Sequence, residues 1–171
     1  MLICGDPVLK RKAAPADPTD PELKTIVKDM FDTMYENRGV GLAAPQIGLS
    51  ISLFVINHDW NRDEGKEKDG VEEVFINPKL LKAYGKDEGY EEGCLSVPEI
   101  HEKVQRKDTI DIEYTDLKGK KHTETGVTGL RARVFQHEYD HLHGILFIDR
   151  LSPVKKMFVK KELKRIIEEM E

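Results

Sequence analysis

The sequence predicts an α+β fold, and three observations lead there. Apolar residues keep helical spacing near the start of the chain, and the middle third carries short stretches that read as strands. Two further helical stretches close the chain. Helix, then strands, then helix and helix is an α+β order rather than an alternating one. With 171 residues, no internal repeat and no long linker, residues 1–171 are expected to form a single domain with one sizeable core.

The first helix is expected to start at Asp20-Pro21, an N-cap acid followed by a first-turn proline. Leu23, Ile26, Val27, Met30, Phe31 and Met34 give its buried stripe, and Gly39 is expected to close it. GVGLAAPQIG (39–48) has three glycines, a proline and no charge, so it reads as a buried or substrate-facing loop. ISLFVIN (51–57) reads as a strand and 58–73 as a charged solvent loop. EVFINPKLL (73–81) is a second strand that Asn77-Pro78 breaks or bends. TIDIEYTD (109–116) alternates as a half-buried strand should, and LKGK (117–120) suits a hairpin turn. The pattern is helical again from Leu130 to His143, with Gly144 at its end. ILFI (145–148) is expected to be a short extended piece. Ser152-Pro153 opens a last helix, about 153–171, with Val159, Leu163, Ile166, Ile167 and Met170 as its apolar stripe.

Composition narrows the class. The chain is 39% hydrophobic and 35% charged, which suits a globular protein, and its net charge of -5 disfavours unspecific nucleic-acid binding, so no DNA partner is expected. No run approaches the ~18 apolar residues of a membrane span. The first residues match neither a signal peptide nor an Arg/Ser-rich transit peptide, and there are only two cysteines, Cys4 and Cys94. A reducing cytoplasm is the expected setting.

The chemistry enters at QHEYDHLHG (136–144). Residues four apart share one face of a helix, so His137 and His141 can hold one metal ion. Glu138, rotated by roughly 100°, can face a water beside the ion without being a ligand. An isolated i, i+4 histidine pair is more often surface or core decoration, so the third ligand matters. One protease pattern places a histidine three residues beyond the glycine, but Phe147 stands there and cannot bind metal. Glu162 and Glu168 lie in a helix rich in solvent-type charge and read as surface residues. Cys94, in YEEGCLSVP (90–98), offers a thiolate; with two histidines and a water it makes a four-coordinate site with an open position. Cys4 reads as a packed free thiol.

GVGLAAPQIG, EGCLSVP and QHEYDHLHG, in this order, closely resemble the three signature motifs of the peptide deformylases. DPVLKRKA (6–13) and LFIDRLS (146–152) extend the resemblance to nearly the whole chain. It implies antiparallel sheets packed around a central helix carrying H-E-x-x-H. It also implies hydrolysis of the N-formyl group from the formyl-methionine of newly made bacterial polypeptides, releasing formate. Carried over residue by residue, Cys94, His137 and His141 are the metal ligands and Glu138 the general acid–base. Gln46 and the Leu95 backbone N–H stabilise the oxyanion. Val40, Gly41 and Gly93 pair with the substrate main chain, while Glu92 and Leu130 line the methionine pocket, with Arg133 at its border. The ion is one divalent metal, physiologically Fe(II), replaceable by Zn(II), Ni(II) or Co(II). The nascent formyl-methionyl chain is the substrate, and the C-terminal helix is a candidate ribosome contact. Asp140 and Gln136 are expected to orient the ligands, and Arg106 to pair with Asp140.

His101 departs from the family pattern, which often has arginine three residues past the proline of EGCLSxP. His58, His122 and His143 match no needed role and read as exposed. A general H-E-x-x-H metallopeptidase would cut unformylated peptides and survive loss of Cys94. A noncatalytic metal-binding module would need neither Glu138 nor Gln46.

Overall fold

The computed structural model describes residues 1–63 and 70–170, so the loop expected at 58–73 falls partly outside the described residues, as does the Met170 side chain. Among the described residues five strands form one antiparallel sheet in sequence order: β1 (Gly41–Ala43), β2 (Leu53–Ile56), β3 (Glu73–Cys94), β4 (Val97–Thr115) and β5 (Lys121–Val127). Three α-helices complete it: α1 (Leu23–Glu36), α2 (Gly129–His141) and α3 (Pro153–Met170). Among the described residues no helix is long and apolar enough to cross a membrane.

The element ends differ from the expectations for local reasons. Asp20 does not cap α1 itself. Its Oδ1 accepts the Glu22 N–H at 2.9 Å in a turn that leads into the helix. At the other end Arg38, not Gly39, takes the left-handed conformation (φ 56°), and the Gly39 N–H reaches back to the Met34 carbonyl at 2.8 Å. That is a Schellman ending with arginine where glycine is usual. The loop 39–48 is ordered: β1 leads into a 3-10 turn at Ala44–Ile47. Of residues 145–148, Leu146 is extended, but Phe147 and Ile148 belong to a 3-10 turn over Phe147–Arg150.

β3 and β4 are far longer than the stretches the periodicity marks. Asn77-Pro78 does not end β3. Asn77 adopts a left-handed conformation (φ 49°) at a register shift between Ile76 and Lys79, and its amide pairs with the Ala16 backbone on both sides. Further register shifts at Leu80/Lys82, Tyr84/Asp87 and Gly93/Cys94 bend the ribbon, as bulges do, so that its ends serve different layers. Beyond the first bulges β3 is largely exposed and charged, while β4 buries Val97, Ile100, Val104 and Arg106 among charged neighbours. They keep a strand's pairing without its apolar alternation, which is why pattern reading misses them.

α2 is the central element. Phe135 meets Phe54 and Phe75 edge-on at 5.1 and 5.4 Å, and all three rings are buried in the sheet-side core. Truncating such a ring costs about 3–5 kcal/mol. α1 packs Val27, Met30, Phe31 and Met34 on β1 and β2. α3 packs Val159, Leu163 and Ile166 against Val97, Ile100 and Val104 of β4 and the 3-10 turn at Phe147. Gly144 (φ 70°) ends the α2 segment, and its Cα faces the Lys10 carbonyl so closely that a Cβ would stand 2.4 Å from the oxygen.

Candidate metal centre

α2 carries an unusual load for a buried helix. Arg133, Gln136, His137, Glu138, Asp140 and His141 are all under 10% exposed. Charged side chains are rarely buried unless paired, so each needs a partner. The partners come from the end of β3, the start of β4 and the turn after β1.

The ligand atoms of Cys94, His137 and His141 lie within 4.8 Å of one another, with Cys94 Sγ 3.4 Å from His141 Nε2. Glu92 Oε2 accepts from His137 Nδ1 at 2.9 Å, which leaves Nε2 to face the cluster. A carboxylate holding the far nitrogen of a histidine is the usual support of a metal ligand. Period-two alternation puts Glu92 on the same strand face as Cys94. Burial alone would raise the Glu92 carboxyl, but His137 and Arg106 hold it well below the usual carboxylate range. Burial likewise pushes both imidazoles down. It prevails at His141, while Cys94 and Glu92 hold His137 above its ordinary value. One thiol and two imidazoles converging with no fourth protein ligand among the described residues suit a divalent ion with an open position. Uptake requires a thiolate and neutral imidazoles, so it releases protons.

Around this lies a chain of ion pairs. Arg106 donates Nε and Nη2 to Glu92 at 2.7 and 3.0 Å and Nη1 to Asp140 at 2.8 Å, so the expected Arg106–Asp140 pair is present. Arg133 donates to Glu92 at 3.1 Å and to two strand carbonyls. Arg150 clamps Asp140 through both oxygens, at 2.5 and 2.6 Å. Asp140 therefore reaches the ligands only through Arg106 and Glu92. Gln136 does not reach them: its amide donates to the carbonyls of Lys107 and Ala132. Arg150 and the bridging position of Arg106 went unforeseen because only the strand register and the 3-10 turn bring them to α2.

Glu138 is 4% exposed, and burial pushes its carboxyl up to about 7; Oε2 has no hydrogen-bond partner among the described residues. Gly41 lies against it. A Cβ there would stand 2.6 Å from Glu138 Oε1, so only glycine lets β1 approach this closely. Gln46 is aimed by its own turn. Its Oε1 accepts the Ala43 N–H at 2.9 Å, which sends Nε2 toward Ser96 Oγ at 3.1 Å and Cys94 Sγ at 3.5 Å. Ser96 lies in the turn between β3 and β4, and no periodicity in the sequence marks it.

A cavity of about 660 Å³ opens over these groups. Val40, Gly41, Gln46, Glu92, Gly93, Cys94, Leu95 and Leu130 all line it, with His137, Glu138 and Arg133. The expected site residues thus all line this cavity except His141, which is buried within the ligand cluster. Glu92, expected in the methionine pocket, spends its carboxylate on His137 and two arginines and borders the cavity only as wall. Among the described residues β1 is an edge strand, paired with β2 on one side only. Of the histidines without a role, His143 is exposed and His58 half-buried. His122 is half-buried too, paired with Asp116 at 2.7 Å and stacked on Tyr114. Cys4 is a free thiol packed against the α3 core, and burial raises it above its ordinary value.

Known proteins are similar to this chain in sequence and in fold. A family model described as polypeptide deformylase matches residues 1–157. A peptide deformylase of Christiangramia forsetii is 48% identical, covering 97% of this chain and 88% of its own length. One of Flavobacterium johnsoniae is 45% identical over 96% and 87%. Among solved structures, a Plasmodium falciparum peptide deformylase superposes with a TM-score of 0.88 at 38% identity, covering 99% of this chain and 95% of that one. A Legionella pneumophila peptide deformylase gives 0.86 at 40% identity over 99% and 95%. By sequence along nearly its whole length, and by its fold, this chain belongs to the peptide deformylase family.

Proposed function

We propose that this enzyme hydrolyses the N-formyl amide at the first methionine of newly made polypeptides, releasing formate. The observation that carries the reading is the convergence of Cys94, His137 and His141 with Glu138 buried beside them and Gln46 Nε2 on the cysteine. When bound, the divalent ion supplies a Lewis acid that acidifies a water and polarises the formyl carbonyl. Fe(II) is the proposed physiological ion; thiolate and imidazole also accommodate Zn(II), Ni(II) or Co(II).

The chain's own residues do the rest. Glu138, with its carboxyl poised near 7 by burial, takes the proton of the attacking water and passes it to the departing amine nitrogen. As the formyl carbon becomes tetrahedral, its oxygen gains negative charge. Gln46 Nε2 donates to it, giving up its long contact to Cys94 Sγ, and the Leu95 N–H is the second donor. One such donor is worth roughly 2.7–4 kcal/mol. The free side of β1 at Val40 and Gly41, together with Gly93, receives the substrate backbone as an added strand, which tolerates varied sequences. Leu130 lines the methionine pocket, with Glu92 and Arg133 as its fixed polar wall.

The proposed setting is the bacterial cytoplasm, with ribosome contact through α3. That helix seats Val159, Leu163 and Ile166 in the core, so deleting it would unseat the fold; its free face carries Val154, Met157 and Phe158, each over 60% exposed. Met157→Ser with Phe158→Ser should weaken ribosome co-sedimentation of a folded enzyme, and unchanged binding would remove the contact. The central test is formate release from formyl-Met-Ala-Ser with Fe(II) protected from oxygen. No formate, or cleavage of the unformylated control, overturns the reading.

A further inference from the structure

Among the described residues, three other than glycine adopt left-handed backbone: Arg38 (φ 56°), Asn77 (φ 49°) and Glu99 (φ 62°). Asn77 has a local reason, since asparagine tolerates this region and its amide pairs with Ala16. Arg38 and Glu99 have none of that kind. Both are exposed, and neither side chain makes a hydrogen bond or ion pair among the described residues. Arg165 lies within electrostatic reach of Glu99, but its guanidinium is bonded to Glu162 and Glu169. Glycine would be the relaxed choice at either position.

Both residues line the cavity over the metal centre. Arg38 stands at the Schellman ending of α1, just before the Gly39–Gly41 stretch. Glu99 sits in the β4 bulge, where the register jumps from Gly93↔His101 to Cys94↔Val97. Bulges beside active sites re-aim side chains, and backbone strain gathers where a side chain is needed in place. Beside Glu99, the His101 ring covers Gly93 so closely that a Cβ there would stand 2.6 Å from it. His101 thus closes the outward face of Gly93 and leaves the unpaired charges of Arg38 and Glu99 at the rim.

Resting on the deformylase reading, we propose that Arg38 and Glu99 are specificity-determining residues that read the charge of the substrate beyond its formyl-methionine. An acidic side chain there pairs with Arg38 and a basic one with Glu99. The test is kcat/KM for formate release from amide-capped formyl-Met tripeptides carrying Asp, Ala or Lys at the second or third residue, at low salt. Arg38→Glu should shift the Asp-to-Lys ratio toward Lys by about five- to tenfold at one position. Glu99→Lys should shift it toward Asp to a similar extent, as reversing an exposed ion pair implies. High salt should erase both shifts. Arg38→Gly should hold or raise the melting temperature while flattening the ratio. Formate release with ratios unmoved by charge reversal overturns the proposal alone. A lowered melting temperature in Arg38→Gly also overturns it, because Arg38 would then be a helix cap. No formate from any formyl peptide overturns the underlying reading instead.

Discussion

Replacing Glu92 by glutamine keeps its shape and removes its charge. In the native enzyme its two oxygens accept from Arg106 Nε and Nη2, Arg133 Nη1 and His137 Nδ1, with both Glu92 and Arg106 about 5% exposed. Two buried carboxylates, Glu92 and Asp140, face Arg106, Arg133 and the half-exposed Arg150. After Glu92→Gln only Asp140 remains opposite three guanidinium groups. The new amide NH₂ must also point at Arg106 or His137, both donors. Breaking a buried pair from one side costs about 3–5 kcal/mol. For a domain of this size that is a fall of roughly 6–20 °C in melting temperature. The second consequence is local, because His137 loses the acceptor that fixes its ring. Losing such support typically lowers metal affinity by about 10–100-fold. Thermal unfolding and a competitive chelator titration measure the two effects separately. A stable variant with native metal affinity would refute both the ion-pair accounting and the role of Glu92 in orienting His137.

Glu138→Ala should keep its metal by elemental analysis and lose about 10²–10⁴ in kcat, the range for a general acid–base; near-normal turnover in the loaded variant would remove Glu138 from the chemistry. Gly41→Ala forces a methyl to within 2.6 Å of Glu138 Oε1 and 2.9 Å of Val134 Cγ1. It should cut kcat by about 10–10²-fold with a small change in melting temperature, and an unaffected rate would mean that Glu138 shifts without penalty. Asp149 accepts from Lys10 and the Leu146 N–H; burial would raise its carboxyl, but these donors hold it below the ordinary value. A lowered native pKa stabilises the fold above the unfolded value of about 3.9 and is lost as the pH falls through the native value. Asp149→Asn should therefore be less stable at neutral pH and lose less on acidification below about pH 4, and denaturant midpoints that shift in parallel at both pH values would count against this.

The sequence by itself determined that His137 and His141 share one helix face, because i and i+4 on a helix do so whatever surrounds them. Likewise α1 and the inner stripe of α3 followed from apolar spacing, and Cys94 was singled out by thiolate chemistry and by resemblance. What the sequence could not carry was any relation that depends on register. The outer part of β3 is charged and exposed, and Val97, Ile100 and Val104 of β4 are spaced irregularly beside a bulge, so neither stretch has an apolar period to detect. The bulges of the β3–β4 ribbon, rather than its composition, bring Glu92 and Arg106 to α2 and turn Glu99 into the cavity. Gln136 and Glu138 are equally polar neighbours of a ligand, yet one bonds a strand carbonyl and the other faces the cavity. That choice belongs to the tertiary structure, because a helix offers all its faces at once and only packing decides which neighbour each one meets.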